Sequence, residues 1–297
     1  MRTLITTILF LTALQTYAQF DYDLYMSLTS KESLLQHQKI NTITEYQSEK
    51  KGEKIKTVVQ QFSKNGFPIF IFQYNKQGQI TAKTEFIYDT LGQIKSIESY
   101  KNETHGSSTE FELNHLGKIT AYTDYVYSSY DGEKTFVWKT LLEYNPNLTI
   151  KKTIKQQGYK RDTSEIVFYN DFGVKTKTIW NMGGLRTTKI EYSYNKDSTE
   201  MLEKHYENDT TIYSTIIHRY KDKNEVEKID PTTSKEPFYW KYDKMGRVIE
   251  TNEAFFYKTY YTYNLDGYLA NKTLEVLFSD SDMKDLPKKI EFIYEYQ

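Results

Sequence analysis

From about residue 40 onward, hydrophobic and polar positions alternate one for one. Thr84, Phe86 and Tyr88 fall on one side of such a run, and Glu85 and Asp89 on the other. Thr188, Ile190, Tyr192 and Tyr194 oppose Lys189, Glu191 and Ser193; Tyr257, Thr259, Tyr261 and Tyr263 oppose Lys258 and Thr262. At the end of the chain Ile290, Phe292, Tyr294 and Tyr296 oppose Lys289, Glu291 and Glu295. A period of two is the mark of a strand with one face packed and one face wet. The pattern predicts an all-β fold whose sheet has an aromatic face and a charged face.

The alternating runs are punctuated by one short motif: an aromatic residue, then Asn or Asp, two residues, then Gly. Copies start at Tyr74, Tyr88, Tyr169, Tyr242 and Tyr263 and end on Gly78, Gly92, Gly173, Gly246 and Gly267. Leu113–Gly117 keeps the turn without the aromatic, Phe62–Gly66 has Ser for Asn, and degenerate copies begin at Tyr144, Tyr194 and Tyr220. From Tyr144 the aromatics recur at 169, 194, 220, 242 and 263, intervals of 25, 25, 26, 22 and 21 residues, each the length of two strands and two turns. Asn or Asp at the first turn position can hydrogen-bond the backbone two residues on, and Gly at the fourth tolerates a left-handed conformation. A type I turn followed by such a glycine is a common hairpin connection. The five glycines are therefore read as structural turn residues. The expected architecture is an antiparallel meander of tandem β-hairpin repeats over residues 40–297, forming an elongated, twisted or curled sheet.

The run Tyr242-Asp243-Lys244-Met245-Gly246-Arg247, followed by Val248-Ile249, resembles the YD repeat of the Rhs and YD-repeat family, and Tyr88–Ile94 is similar. The resemblance covers roughly residues 60–297. It implies a coiling strand-turn-strand ribbon, of the kind that large family members wrap into shells around toxins or display at cell surfaces. This chain has too few repeats to enclose a cargo domain and shows no Asp-Pro-x-Gly junction, so the architecture carries over and the delivery function does not. Short exported chains of this sort are typical of Bacteroidetes-like bacteria. A weaker similarity exists to short hairpin arrays of the MORN type.

The N-terminus reads differently. Arg2, an apolar stretch from Leu4 to Leu14 and the small residues Thr16 and Ala18 read as a signal peptide, residues 1–18, which predicts export to the periplasm, cell surface or exterior. Residues 19–39 form a separate segment, in which Thr29-Ser30-Lys31-Glu32 resembles a capping box, predicting a short helix near 30–38 that covers the first sheet edge. The hairpin 40–47/54–62 follows.

Composition narrows the chemistry. The 297 residues include 28 Tyr and 16 Phe but no Cys, which excludes disulfides and thiolate sites. With 39 basic and 40 acidic residues and no basic stripe, nothing points to nucleic acid. No apolar segment after the leader approaches a transmembrane helix in length. The histidines, His37, His105, His115, His205 and His218, lack metal-ligand spacing and read as surface or turn residues. Asp280-Ser281-Asp282 with Glu291 fails as a calcium loop, because position six is Asp285 rather than Gly. Met182-Gly183-Gly184 reads as a hairpin turn, and no catalytic residue, metal or cofactor is assigned.

The aromatic face is the one feature with functional promise. Trp138, Trp180, Trp240, Tyr192 and Tyr261 are the candidate binding residues, able to stack on sugar rings and equally able to pack across strands. The resulting expectation is an exported, non-catalytic repeat protein of the cell envelope that binds an unknown protein or carbohydrate. The alternatives are an outer-membrane β-barrel, motivated by alternation and the aromatic last strand, and an immunity or inhibitor protein paired with a secreted toxin.

Overall fold

The computed structural model describes residues 40–48, 54–157, 162–172, 174–181, 187–207, 210–222, 224–230, 237–254, 257–276 and 289–297. The leader, the helix expected near 30–38, Gly173 and the Met182–Gly184 turn lie outside the described residues. So does the 280–288 part of the rejected calcium loop.

Among the described residues the chain forms twenty strands. They are β1 (Thr42–Ser48), β2 (Ile55–Phe62), β3 (Pro68–Tyr74), β4 (Ile80–Tyr88), β5 (Ile94–Lys101), β6 (Thr104–Leu113) and β7 (Ile119–Tyr127). The middle of the wall is β8 (Lys134–Tyr144), β9 (Ile150–Gln157), β10 (Asp162–Tyr169), β11 (Lys175–Asn181), β12 (Thr187–Tyr194), β13 (Glu200–Glu207) and β14 (Thr211–Lys221). It ends with β15 (Asn224–Ile229), β16 (Phe238–Tyr242), β17 (Val248–Ala254), β18 (Tyr257–Tyr263), β19 (Leu269–Val276) and β20 (Lys289–Tyr296).

Each strand pairs antiparallel with the next, as the alternation predicted. The sheet is not open, however. β20 pairs with β19 and also with β1, in the register Ile43↔Tyr296 to Ser48↔Glu291. The Asn41 and Thr42 N–H groups both donate to the Gln297 carbonyl, at 2.7 and 3.0 Å. The meander is thus a closed β-barrel, which corrects the expected elongated sheet. It also corrects the expected helical cover, because the edge of β1 is occupied by β20.

The bulges give a physical reason for closure. The register shifts by one residue at the end of nearly every even-numbered strand: Gln61/Phe62, Ile87/Tyr88, Glu112/Leu113, Glu143/Tyr144, Phe168/Tyr169, Arg219/Tyr220, Lys241/Tyr242 and Thr262/Tyr263. A bulge bends its strand and adds twist. Further shifts fall in the pairings that follow odd-numbered strands, as at Gln73/Tyr74, Ser99/Tyr100, Asp124/Tyr125 and His205/Tyr206; repeated along successive hairpins, they coil the ribbon until the edges meet.

Connections differ between the two ends. Eight of the nine that follow even-numbered strands are five residues long, and the ninth, 222–223, has two. Those after odd-numbered strands run from two residues, at 102–103, to twelve, at 277–288. The first strand begins, and the last strand stops, at the end of the five-residue turns.

One five-residue turn shows why the motif has its form. The Asp243 N–H donates to the Arg247 carbonyl at 2.9 Å, and the Gly246 N–H to the Asp243 carbonyl at 3.1 Å. The carboxylate of Asp243 accepts from the Met245 and Arg247 N–H groups at 2.8 and 3.0 Å. Hydrogen bonding from the Arg247 N–H, chief among the causes, holds the Asp243 carboxyl below the usual carboxylate range. A depressed folded-state value means that this turn contributes stability above the ordinary carboxylate pKa, lost as pH falls through the lowered one. Gly246 sits at φ 78°, and Gly78, Gly92 and Gly267 are also positive, at 77°, 75° and 89°. A β-branched side chain is strained there. Gly246→Val is expected to destabilise by about 1–3 kcal/mol, and an unchanged melting temperature would contradict the turn geometry.

Candidate functional site

Closure gives the wall two faces, two rims and a seam, and the candidate residues are placed on these. The more buried face carries a row that crosses five strands: Phe86 opposite Ile97, Ile97 opposite Thr109, Thr109 opposite Asp124 and Asp124 opposite Trp138. Ile97 is fully buried, and with Ile71, Phe86, Phe111, Tyr122 and Leu142 it forms the main apolar cluster, spread over β3–β8. The other face is an ion-pair lattice. Lys83 meets Glu85 at 2.7 Å, Lys189 meets Glu191 at 3.1 Å and Lys241 meets Glu250 at 2.9 Å. Tyrosines join this lattice, with Tyr206 donating to Glu191 at 2.9 Å and Tyr239 to Glu250 at 2.6 Å. The Lys189 ammonium also sits 4.0 Å from the Tyr206 ring centroid.

The motif tyrosines have a shared task. Tyr144, at the end of β8, donates its hydroxyl to the Ile119 carbonyl at the start of β7, at 2.6 Å. Tyr88 reaches Pro68 at 2.9 Å, and Tyr242, Tyr263 and Tyr296 reach Glu225, Val248 and Leu269 at 2.7 Å each. Each hydroxyl ties an even-numbered strand to the start of the one before it, where the bulge has disturbed the ladder. Tyr144→Phe is expected to lower stability by about 1 kcal/mol, since it removes one hydrogen bond and keeps the ring; thermal unfolding beside the parent protein measures it.

The five aromatic candidates stand on the more buried face and are half-buried, each on a different strand. Trp138 donates its indole N–H to Asp124, which also accepts from Thr109 Oγ1 at 2.6 Å. Trp180 donates to Glu165 at 2.7 Å. Tyr192 lies opposite Glu203, Trp240 opposite Thr251 and Tyr261 opposite Lys272. The fold therefore distributes these side chains around the wall instead of gathering them into one platform.

Two clusters were missed in the sequence. His218 was read as a surface or turn residue but is buried; its Nδ1 meets Glu225 at 2.6 Å and its Nε2 meets Glu203 at 3.0 Å, while Glu203 also meets His205 at 2.7 Å. The Glu203–His205 spacing of two, on one face of a strand, was the available signal; the partner strands supply the rest. His105 is sandwiched between Tyr100 and Tyr127, with ring centroids 4.7 and 3.7 Å away, and bonds Glu98 at 2.6 Å. Among the described residues no group of three or more His, Asp or Glu is arranged to hold a metal ion.

The seam has an open cleft of about 820 Å³ lined by Ile40, Tyr268, Tyr294 and Tyr296, among others. Tyr268 stacks on Tyr296 there at 5.0 Å.

No family model matches the chain, and no curated protein matches it. Among solved structures it is similar to a porin-like protein from Bacteroides uniformis ATCC 8492, at 10% identity over 88% of this chain and 98% of that one, with a TM-score of 0.35. It is also similar to a chain of TcdB2-TccC3-TEV, at 13% identity over 73% of this chain and 14% of that one, with a TM-score of 0.25. Identities and TM-scores this low do not transfer a function.

Proposed function

We propose that this protein is an exported, non-catalytic β-barrel of the bacterial outer membrane. The observation that carries the reading is closure of the wall through β1 and β20, which leaves no unpaired sheet edge among the described residues. A sheet can meet lipid only when every backbone group is paired internally, and a closed barrel meets that condition. The arrangement of connections supports it: near-uniform five-residue turns at the end that holds both chain ends of the wall, and varied ones opposite, the longest of eight and twelve residues at 230–237 and 277–288. Twenty strands fall between porins of about 16–18 strands, with aqueous channels, and transporters of about 22, with plugged lumens.

A second reading, a water-soluble envelope barrel that binds a protein or glycan, has its own support. Charged side chains stand on both faces, with Asp124 and Glu203 on one and the Lys83–Glu85 and Lys189–Glu191 pairs on the other. The strands are five to eleven residues long, and β16 has five, whereas a tilted spanning strand takes about 9–11.

Fractionation of cells that express the full chain separates the two. The first reading expects the protein in the outer membrane, released by detergent and not by high salt or carbonate, with a folded form that migrates differently before and after boiling. Complete release into detergent-free buffer would overturn it and leave the soluble barrel.

A further inference from the structure

At the rim of the five-residue turns, the space between neighbouring turns is filled by the turns themselves. Gln93 lies over Gly117 of the next turn on the rim, and Arg247 lies over Gly267. Asn147 donates its side-chain N–H to the Asp171 carbonyl at 2.9 Å. The seam breaks this series. There the turn Asn264–Tyr268 shares a cleft with Ile40 and Gln297, at the two ends of the wall, in place of another turn. The cleft measures about 820 Å³, the size of a small-ligand site, roughly 300–1,000 Å³.

The lining combines fixed rings with unspent polar groups. Tyr296 is held by its hydroxyl bond to the Leu269 carbonyl at 2.7 Å, and Tyr294 by its bond to Glu45 at 2.8 Å. Tyr268 stacks on Tyr296 with ring centroids 5.0 Å apart, and its own hydroxyl has no partner among the described residues. The Asp266 carboxylate and the Gln297 carboxamide are likewise without a partner among them. Asn264 accepts the Tyr268 N–H on its side-chain oxygen at 2.9 Å, which leaves its side-chain NH2 unspent.

Charge narrows the ligand. Among the described residues no Lys, Arg or His lines the cleft. Arg247, in the neighbouring turn, is held by Asp243 at 2.7 Å, and Lys54 by the lining residue Glu295 at 2.8 Å. A phosphate, sulfate or uronate would therefore meet a free carboxylate and no free cation, an unfavourable pairing. A hydrocarbon would find one aliphatic side chain, Ile40, which is itself buried. An ammonium ligand would have only Asp266, whose exposure leaves an ion pair there weak. Hydroxyl groups suit the set better, since a carboxylate accepts several hydrogen bonds and a carboxamide both donates and accepts.

We infer that the seam cleft binds a neutral pyranose oligosaccharide, with sugar rings against Tyr268 and hydroxyls on Asp266, Asn264 and Gln297. A tyrosine offers an apolar ring to the C–H face of a sugar and a polar tip to its hydroxyls. Rings already fixed by Leu269 and Glu45 lose little freedom when a ligand arrives, which favours binding. The inference goes beyond the outer-membrane reading and does not rest on it, because a turn rim stands in water whether or not the wall crosses a bilayer.

The test is titration calorimetry on the full chain, purified without glycoside detergents, which would compete for the site. The probes are the neutral hexamers of cellulose, xylan, amylose and N-acetylated chitin, with oligogalacturonate and deacetylated chitin hexamer as the acidic and basic comparators. The expected result is binding of at least one neutral hexamer, weakened about tenfold or more by Tyr268→Ala and by Asp266→Ala. Lys196→Ala, in the exposed turn after β12, should bind as the parent does. If Tyr268→Ala fails to fold, Asp266→Ala decides, since that side chain is exposed and bonds nothing in the barrel among the described residues.

Binding of no neutral hexamer overturns the inference. So does binding confined to the acidic or the basic comparator, which would give the cleft to a charged ligand. Neutral binding that survives Asp266→Ala undiminished places the sugar elsewhere on the wall and overturns the site. Self-association that Asp266→Ala abolishes would assign the cleft to a second copy, and also overturns it.

Discussion

A disulfide placed across the seam by Thr44→Cys and Glu295→Cys should form on oxidation and raise stability by as much as about 5 kcal/mol. The two positions are direct partners in the β1–β20 ladder, although 251 residues separate them in the chain. Paired antiparallel residues have Cα atoms about 4.5–5.5 Å apart, within disulfide reach. In an open array they would stand on opposite edges, tens of ångströms apart, and no intramolecular bond would form. The size of the effect follows from the loop. Tying together nearly the whole wall removes more entropy from the unfolded chain than any other single link in this protein. The readout is a faster-migrating species without reductant, and an unfolding midpoint that rises in the oxidised form and returns on reduction. A protein that yields only intermolecular disulfides would mean the barrel is open in solution. The membrane reading would lose its main support with it.

Much of the wall is legible in the sequence, because its signals are local. The Tyr-Asp-x-x-Gly turn predicts a hairpin from five residues, and the spacing near 25 predicts two strands per repeat. Phe86 against Glu85, or Ile190 against Lys189, assigns the faces. Closure is not legible in the same way. It depends on the pairing of Ile43 with Tyr296, and no local pattern states that register. The clue lies in the glycine turn itself, since a type I turn followed by left-handed glycine brings a bulge and extra twist with it. Summed over the eight hairpins that carry such a bulge, that small rotation decides between an open ribbon and a ring. His218 was misread for a related reason: its partners Glu203 and Glu225 come from the strands on either side.

The other large effect expected is on the buried face. Phe86→Ala should cost about 3–5 kcal/mol, because Phe86 lies in the apolar cluster and faces Ile97 across the ladder. Its chain neighbour is the control. Glu85 points the other way and is bound to Lys83, both side chains being about a third exposed, at 29% and 34%. A pair this open to solvent contributes about 0–1 kcal/mol, so Glu85→Ala should change stability little. The contrast, read by denaturant unfolding of both variants, tests the alternation residue by residue. A cost at Glu85 equal to that at Phe86 would show that the charged face is covered too, by a partner or by the opposite wall. A negligible cost at Phe86 would mean that the aromatic face packs loosely enough to be remodelled, and the tyrosine hydroxyl braces and strand ladders would then carry the barrel largely without a core.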